Sequence, residues 1–224
     1  GCIGDSRVIT MTISPEPVAS STLNLTQCSD VATGLVLNTD GVSVAAANYN
    51  ITSVTVAAGL TAAAGNAVVP ATGVAANYLA GDMFTNTGSV TRTVTYVIVP
   101  VSAAGCTGDP KSVVVTIRPE PVVSAGLNAT ICSDVALGLT LNTNGTSVAA
   151  ANYNITASTI AAGLTAAGTN AVVPAVGVAA NYLAADVFTN TTSASLAVTY
   201  TVVGVSVDGC VGDPRVVTMT ISPE

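Results

Sequence analysis

Cysteines and carboxylates are the side chains of this sequence best able to do chemistry, because histidine is absent. Cys2, Cys106 and Cys210 stand at one interval of 104 residues, and Cys28 and Cys132 stand at the same interval. Without histidine, and without a Cys-x-x-Cys spacing, the pattern favours disulfides over a zinc site. One early and one late cysteine fall in each period, which predicts the pairs Cys28–Cys106 and Cys132–Cys210. Cys2 is then the late cysteine of a preceding period. Closing a loop of that length stabilises by about 4 kcal/mol in the chain-entropy treatment. Disulfides also imply an oxidising compartment, so the chain is expected to be exported.

The carboxylates give little support to catalysis. A Ser-His-Asp or Cys-His arrangement is excluded by the lack of histidine. A glycosidase needs two carboxyl groups facing each other across a cleft, whereas Asp30, Asp40, Asp82, Asp109 and a joint glutamate fall mostly in predicted turns. Asp40 is replaced by Asn144 one period later, and turn geometry alone accounts for aspartate there. No enzymatic activity is expected. Asp5, Asp109 and Asp213 recur beside a Pro-Glu pair, with Glu120 nearby, which makes calcium the alternative ionic role. No Asp-x-Asp-x-Asp-Gly loop is present, and Arg7, Lys111 and Arg215 lie close in sequence. Local surface pairing is therefore the expectation, with no cofactor. Tyr49, Tyr78, Tyr96, Tyr153, Tyr182 and Tyr200 sit in apolar runs and are expected to pack in a core rather than to stack on sugars.

The elements that hold these residues repeat as well. Residues 1–104 align with 105–208 without a gap, at about two-thirds identity. A period this long marks an array of whole domains, each large enough for its own core. Ser14-Pro-Glu-Pro-Val18, Arg118-Pro-Glu-Pro-Val122 and Ser222-Pro-Glu224 punctuate it as extended joints. The predicted division is 1–15 as the last strand of a preceding module, 16–119 as module 1 and 120–224 as module 2, a segment of something longer. Strands are predicted at 34–39, 49–56, 90–99 and 112–118, from period-two alternation bounded by turn signals such as Asp40-Gly41. Residues 74–84 allow a helical turn with Leu79 and Phe84 facing inward. About seven short strands per hundred residues indicate all-β, tandem immunoglobulin-like antiparallel sandwiches.

Charged residues make up only 8% of the chain, and the net charge is −7. That balance disfavours nucleic acid and anionic membranes as partners, and no apolar run is long enough for a spanning helix. A surface so poor in charge is unusual for an isolated soluble domain. The Ala-rich segments 57–63 and 161–167 are the candidate interface, through Ala57, Ala58, Leu60 and Ala62 and their copies Ala161, Ala162, Leu164 and Ala166. The expected partners are copies of the same chain side by side, and neighbouring repeats of one chain.

Taken together, Cys-Ser-Asp at 28–30 and 132–134, Phe-Thr-Asn-Thr at 84–87 and 188–191, Val-Thr-Tyr at 94–96 and 198–200, the Gly-Cys-x-Gly-Asp turn and the Pro-Glu-Pro joint carry a resemblance. Over its whole length the chain resembles the PKD-like or Ig-like repeats of giant exported proteins of the Bacteroidota. The resemblance implies export by the type IX system, cell-surface display, and roles in adhesion, gliding or prey capture. The resulting expectation is a structural segment of an extracellular fibre, a side-by-side bundle or a single-chain stalk, that supplies length and stiffness. The alternative is an adhesin module that grips glycans or proteins on a target surface, although contact with a target is expected through a tip outside this segment.

Overall fold

The computed structural model describes all 224 residues. Valine, threonine and tyrosine alternate along β6 (Arg92–Ser102), so one face of the strand is apolar. That face buries Val94, Tyr96 and Ile98, and the next strand, β7 (Lys111–Arg118), buries Val113, Val115 and Ile117 in the same core. Antiparallel pairing joins β6 to β7 and to β2 (Ala46–Val56). A short β1 (Leu25–Cys28) runs parallel to β7, and β4 (Ala71–Val74) edges β2, which gives the order β1-β7-β6-β2-β4. The opposite layer holds the small pair β3 (Thr61–Ala62) and β5 (Phe84–Thr85), with irregular segments around it.

The second module repeats this plan. Its sheet is β11 (Ala175–Val178), β9 (Asn152–Ile160), β13 (Leu196–Val205), β14 (Arg215–Ser222) and β8 (Ala129–Cys132), with β10 (Leu164–Ala166) paired to β12 (Phe188–Asn190). Two separate buried clusters result, one between Ala19 and Ile117 and the other between Val123 and Ile221. Seven strands per module, with no α-helix, make the fold the expected tandem immunoglobulin-like sandwich.

One local expectation needs correction. Residues 34–39 bury Leu35 and Leu37 but form no strand. Their backbone bonds go to a turn instead, with Gly34 N–H donating to the Ala80 carbonyl and Leu37 N–H to that of Ala76. Residues 1–15 likewise form no strand. Ile9, Met11 and Ile13 are more than 80% exposed, while their copies Val113, Val115 and Ile117 are fully buried against β6.

Asp82 departs from the turn reading, since it is buried, as is its copy Asp186. The Tyr96 hydroxyl donates to Asp82 Oδ2 at 2.5 Å and the Ala67 amide donates to Oδ1 at 2.7 Å. Tyr200 and Asp186 repeat the pair at 2.7 Å. Burial, and then the bond to and charge of Asp82, hold the Tyr96 hydroxyl well above its ordinary value. The folded state therefore keeps a proton that the unfolded chain releases near pH 10, and this stabilisation is lost as pH climbs above 10. Tyr96→Phe is expected to cost about 1.5–3 kcal/mol at neutral pH, the worth of a hydrogen bond to a charged group. Denaturant titrations at pH 7 and about pH 10.5 check both parts, because the variant should lose less stability than the parent between them.

Candidate functional site

The motifs that recur most faithfully meet at one place, the joint between the modules. Proline on either side holds Glu120 in an extended linker, and Pro119, Glu120 and Pro121 are all buried. From module 1, Asn86 fixes the linker: its side-chain amide donates to the carbonyls of Val90 and Ile117, each at 3.0 Å. Its backbone carbonyl accepts the Glu120 N–H at 3.0 Å, and its N–H donates to Ser29 Oγ at 2.8 Å. Ser29 and Asp30 follow β1 directly. Asp30 takes the left-handed region at φ 58°, which aspartate tolerates better than most residues. The Thr85 hydroxyl donates to its Oδ1, and Ser29 Oγ donates to Oδ2 at 3.2 Å.

Module 2 brings the Gly-Cys-x-Gly-Asp turn to the same point. Gly212 lies so close to the linker that a Cβ there would stand 1.9 Å from the Pro121 carbonyl oxygen. Cys210 is buried and bonded to Cys28 of module 1, with 5.3 Å between Cα atoms, and Val148 N–H donates to the Gly88 carbonyl across the joint at 2.9 Å. Asp213 completes the convergence: one carboxylate oxygen from each of Asp30, Glu120 and Asp213 lies within 4.8 Å of the others. Asp30 and Asp213 face solvent, whereas Glu120 is only 1% exposed and its Oε1 has no hydrogen-bond partner. Burial above all, then the charge of Asp30 and a hydrogen bond with it, then the charge of Asp213, push the Glu120 carboxyl up to about 8, with Ser29 pulling weakly the other way. Its copies Glu16 and Glu224 are exposed, so burial of this glutamate arises where two modules meet.

Two copies of the PKD-like domain match this sequence, at residues 28–121 and 129–224. The chain belongs to the PKD-like domain family. No curated protein matches it in sequence. Similar solved structures include the protocadherin gammaB7 EC3-6 cis-dimer, at 10% identity and TM-score 0.27, covering 92% of this chain and 48% of that one. Drosophila N-cadherin EC1-4 gives 11%, 0.27, 93% and 49% in the same order. Bacteroides ovatus SGBP-B, from a mixed-linkage glucan utilization locus and solved with a mixed-linkage heptasaccharide, gives 11%, 0.23, 91% and 47%. The chain spans about half the length of each of these three chains.

The PKD-like modules overturn the predicted disulfides Cys28–Cys106 and Cys132–Cys210. Within a module the two cysteines sit at opposite poles. Parallel pairing places Cys28 beside Arg118, at the end of β7, whereas Cys106 precedes Lys111 at its start. A strand of eight residues spans about 26 Å, far beyond the roughly 7 Å that a disulfide tolerates. The partner within reach of Cys28 is Cys210 of the next PKD-like module, 182 residues along the chain. Cys2, Cys106 and Cys132 are free thiols.

Other predicted residues fall elsewhere. Asp40 caps its turn, its Oδ1 accepting from the amides of Val42 and Ser43 and from the Ser43 hydroxyl, which lowers its carboxyl below the ordinary value. Tyr78 and Tyr182 donate to the carbonyls of Val68 and Val172, each at 2.9 Å. In the Ala-rich segments Leu60 and Leu164 pack against the cores, Ala57 and Ala161 are half-buried, and Ala58, Ala62, Ala162 and Ala166 are exposed. What sequence reasoning missed is the joint itself: Asp30, Asn86, Glu120 and Asp213 as one cluster. A usable signal was there, since every one of the recurring motifs except Val-Thr-Tyr supplies a residue to it.

Proposed function

We propose that this chain is a structural, non-catalytic segment of an extracellular fibre, in which disulfides staple each PKD-like module to the next. The observation that carries this reading is the Cys28–Cys210 bridge, which spans the joint rather than closing a module. A bridge there limits hinge motion at the linker, which suits a part whose task is length and stiffness. Family membership and the disulfide fit an extracellular protein, and no helix is long and apolar enough to cross a membrane. The largest surface depression holds about 130 Å³, well below the roughly 300 Å³ at which ligand pockets begin.

Cys132 stands where Cys28 stands one period earlier, and Cys106 where Cys210 stands one period later. In a longer array each pairs with the matching cysteine of the module beyond, so the bridges form two interleaved tracks. Every bridge forms by exchange with the disulfide of a thiol oxidant. The two cysteine thiols give up two protons and two electrons, and the oxidant leaves as two thiols. Display at a cell surface through type IX export, service in adhesion, gliding or prey capture, and side-by-side bundling of copies through the Ala-rich faces at 57–63 and 161–167 belong to the same proposal. Sedimentation of the oxidised chain across a concentration series tests the bundling, with reversible self-association expected and a monomer at every concentration opposing it.

Adding a third 104-residue copy at the C-terminus tests the stapling. Cys132 is then expected to bond the late cysteine of the new copy, so mapping finds Cys2, Cys106 and the early cysteine of the new copy as the free thiols. Pairing inside the new module would instead leave Cys132 free and contradict the proposal.

A further inference from the structure

From this geometry we infer that the joint between modules is a calcium site held by Asp30, Glu120 and Asp213. Three chain segments supply the three carboxylates: module 1, the linker and module 2. An acidic cluster alone proves nothing, because exposed acids repel weakly in water. Here a second observation stands beside it. Glu120 is fully enclosed, and its Oε1 is buried without any hydrogen-bond donor. A buried carboxyl oxygen with no partner is costly, and the groups acting on Glu120 are the charges of Asp30 and Asp213, a side-chain hydrogen bond with Asp30 and a weaker one with Ser29, with no cation among them. A cation bound among the three acids displaces the proton that Glu120 otherwise keeps and offsets their mutual repulsion.

The chemistry of the donors selects the ion. All three are carboxylate oxygens, and the nearby sulfurs are consumed in the Cys28–Cys210 bridge. An oxygen-only set suits a hard divalent cation over zinc or copper. Opposite ligands of calcium stand up to about 4.6–5.2 Å apart, and those of magnesium only about 4.0–4.2 Å. The three oxygens, all within 4.8 Å of one another, fit inside calcium's coordination sphere, and calcium's tolerance of irregular geometry favours it over magnesium, which demands a near-ideal octahedron. Calcium takes six to eight oxygens in flexible geometry, and the exposed flanks at Asp30 and Asp213 admit water to the remaining positions. The ion links the two modules by a contact separate from the disulfide, and each period carries the same residues: Glu16 with Asp109, and Asp134 with Glu224. Only the central joint of this chain brings all three acids together.

The site stands or falls independently of the fibre proposal, because it needs only the two modules present. Calorimetric titration of calcium chloride into the oxidised, chelator-stripped chain is expected to show one site with a dissociation constant on the order of 10⁻⁴ M, as in other extracellular modules. Magnesium chloride should bind at least tenfold more weakly. Glu120→Gln keeps the volume and removes the charge, while Asp213→Asn changes an exposed position that leaves the core intact. Each should weaken calcium at least tenfold while the Cys28–Cys210 bridge persists by mass. The inference is overturned by no binding heat up to about 10 mM calcium, by equal response to calcium and magnesium, or by unchanged affinity in Asp213→Asn.

Discussion

Pulled between Gly1 and Glu224 in a single-molecule instrument, the oxidised chain will release almost none of the length of its modules. The Cys28–Cys210 bridge brackets 182 residues, which include nearly all of both cores. Force passes through the sulfurs and bypasses everything between them. Reduction, or Cys210→Ser, returns those residues to the load path. At about 3.3–3.6 Å per extended residue the gain in contour length is roughly 600–650 Å, released as two unfolding steps. Bridges inside the modules would give a different trace, with two shortened unfolding steps already present before reduction. That trace would refute the stapled joint.

The second large effect is expected at Gly212. Its backbone passes the linker so closely that a methyl group would stand 1.9 Å from the Pro121 carbonyl oxygen, and Gly108 meets Pro17 at 1.8 Å in the same way. The obstacle is main chain rather than a flexible side chain, so Gly212→Ala must shift either the Cys210 turn or the residue beside Glu120. Overpacking costs about 1–3 kcal/mol where side chains can adjust, and a main-chain obstacle places this variant at or above the upper end. For a module of this size about 3 kcal/mol lowers the thermal midpoint by roughly 12–24 °C. Calorimetry should find module 2 destabilised by that amount. Gly168→Ala, at a glycine with open space around it, serves as the matched control and should shift little. A Gly212→Ala midpoint equal to that of the control would show that the linker does not press on this turn.

Much of the sandwich was legible in the sequence because its causes are local. Alternation along residues 90–99 and 112–118 specifies half-buried strands, and β6 and β7 lie there. The strand predicted at 34–39 failed because its alternation records burial of Leu35 and Leu37 and not the partner of the backbone, which is a turn at 76–82. Asp82 resembled a turn acid, yet its role depends on Tyr96, fourteen residues away on β6.

The joint was hidden for a different reason. A strict period of 104 residues is obeyed equally by an early cysteine bonded to the late one of its own module and by one bonded to that of the next. Spacing cannot choose between them. The choice is made by the parallel pairing of β1 with β7, which carries Cys28 to the downstream pole of its module while Cys106 stays at the upstream pole. Glu120 read as part of an extended joint, since nothing in Arg-Pro-Glu-Pro-Val specifies burial. Burial comes from the second module closing over it, as its exposed copies Glu16 and Glu224 make plain.

The stapled joint is tested most directly by counting free thiols on the unreduced, denatured chain and mapping which residues carry them. The account predicts three, at Cys2, Cys106 and Cys132, with Cys28 and Cys210 recovered in one linked peptide. A single free thiol at Cys2, with each module closed on itself, would contradict it.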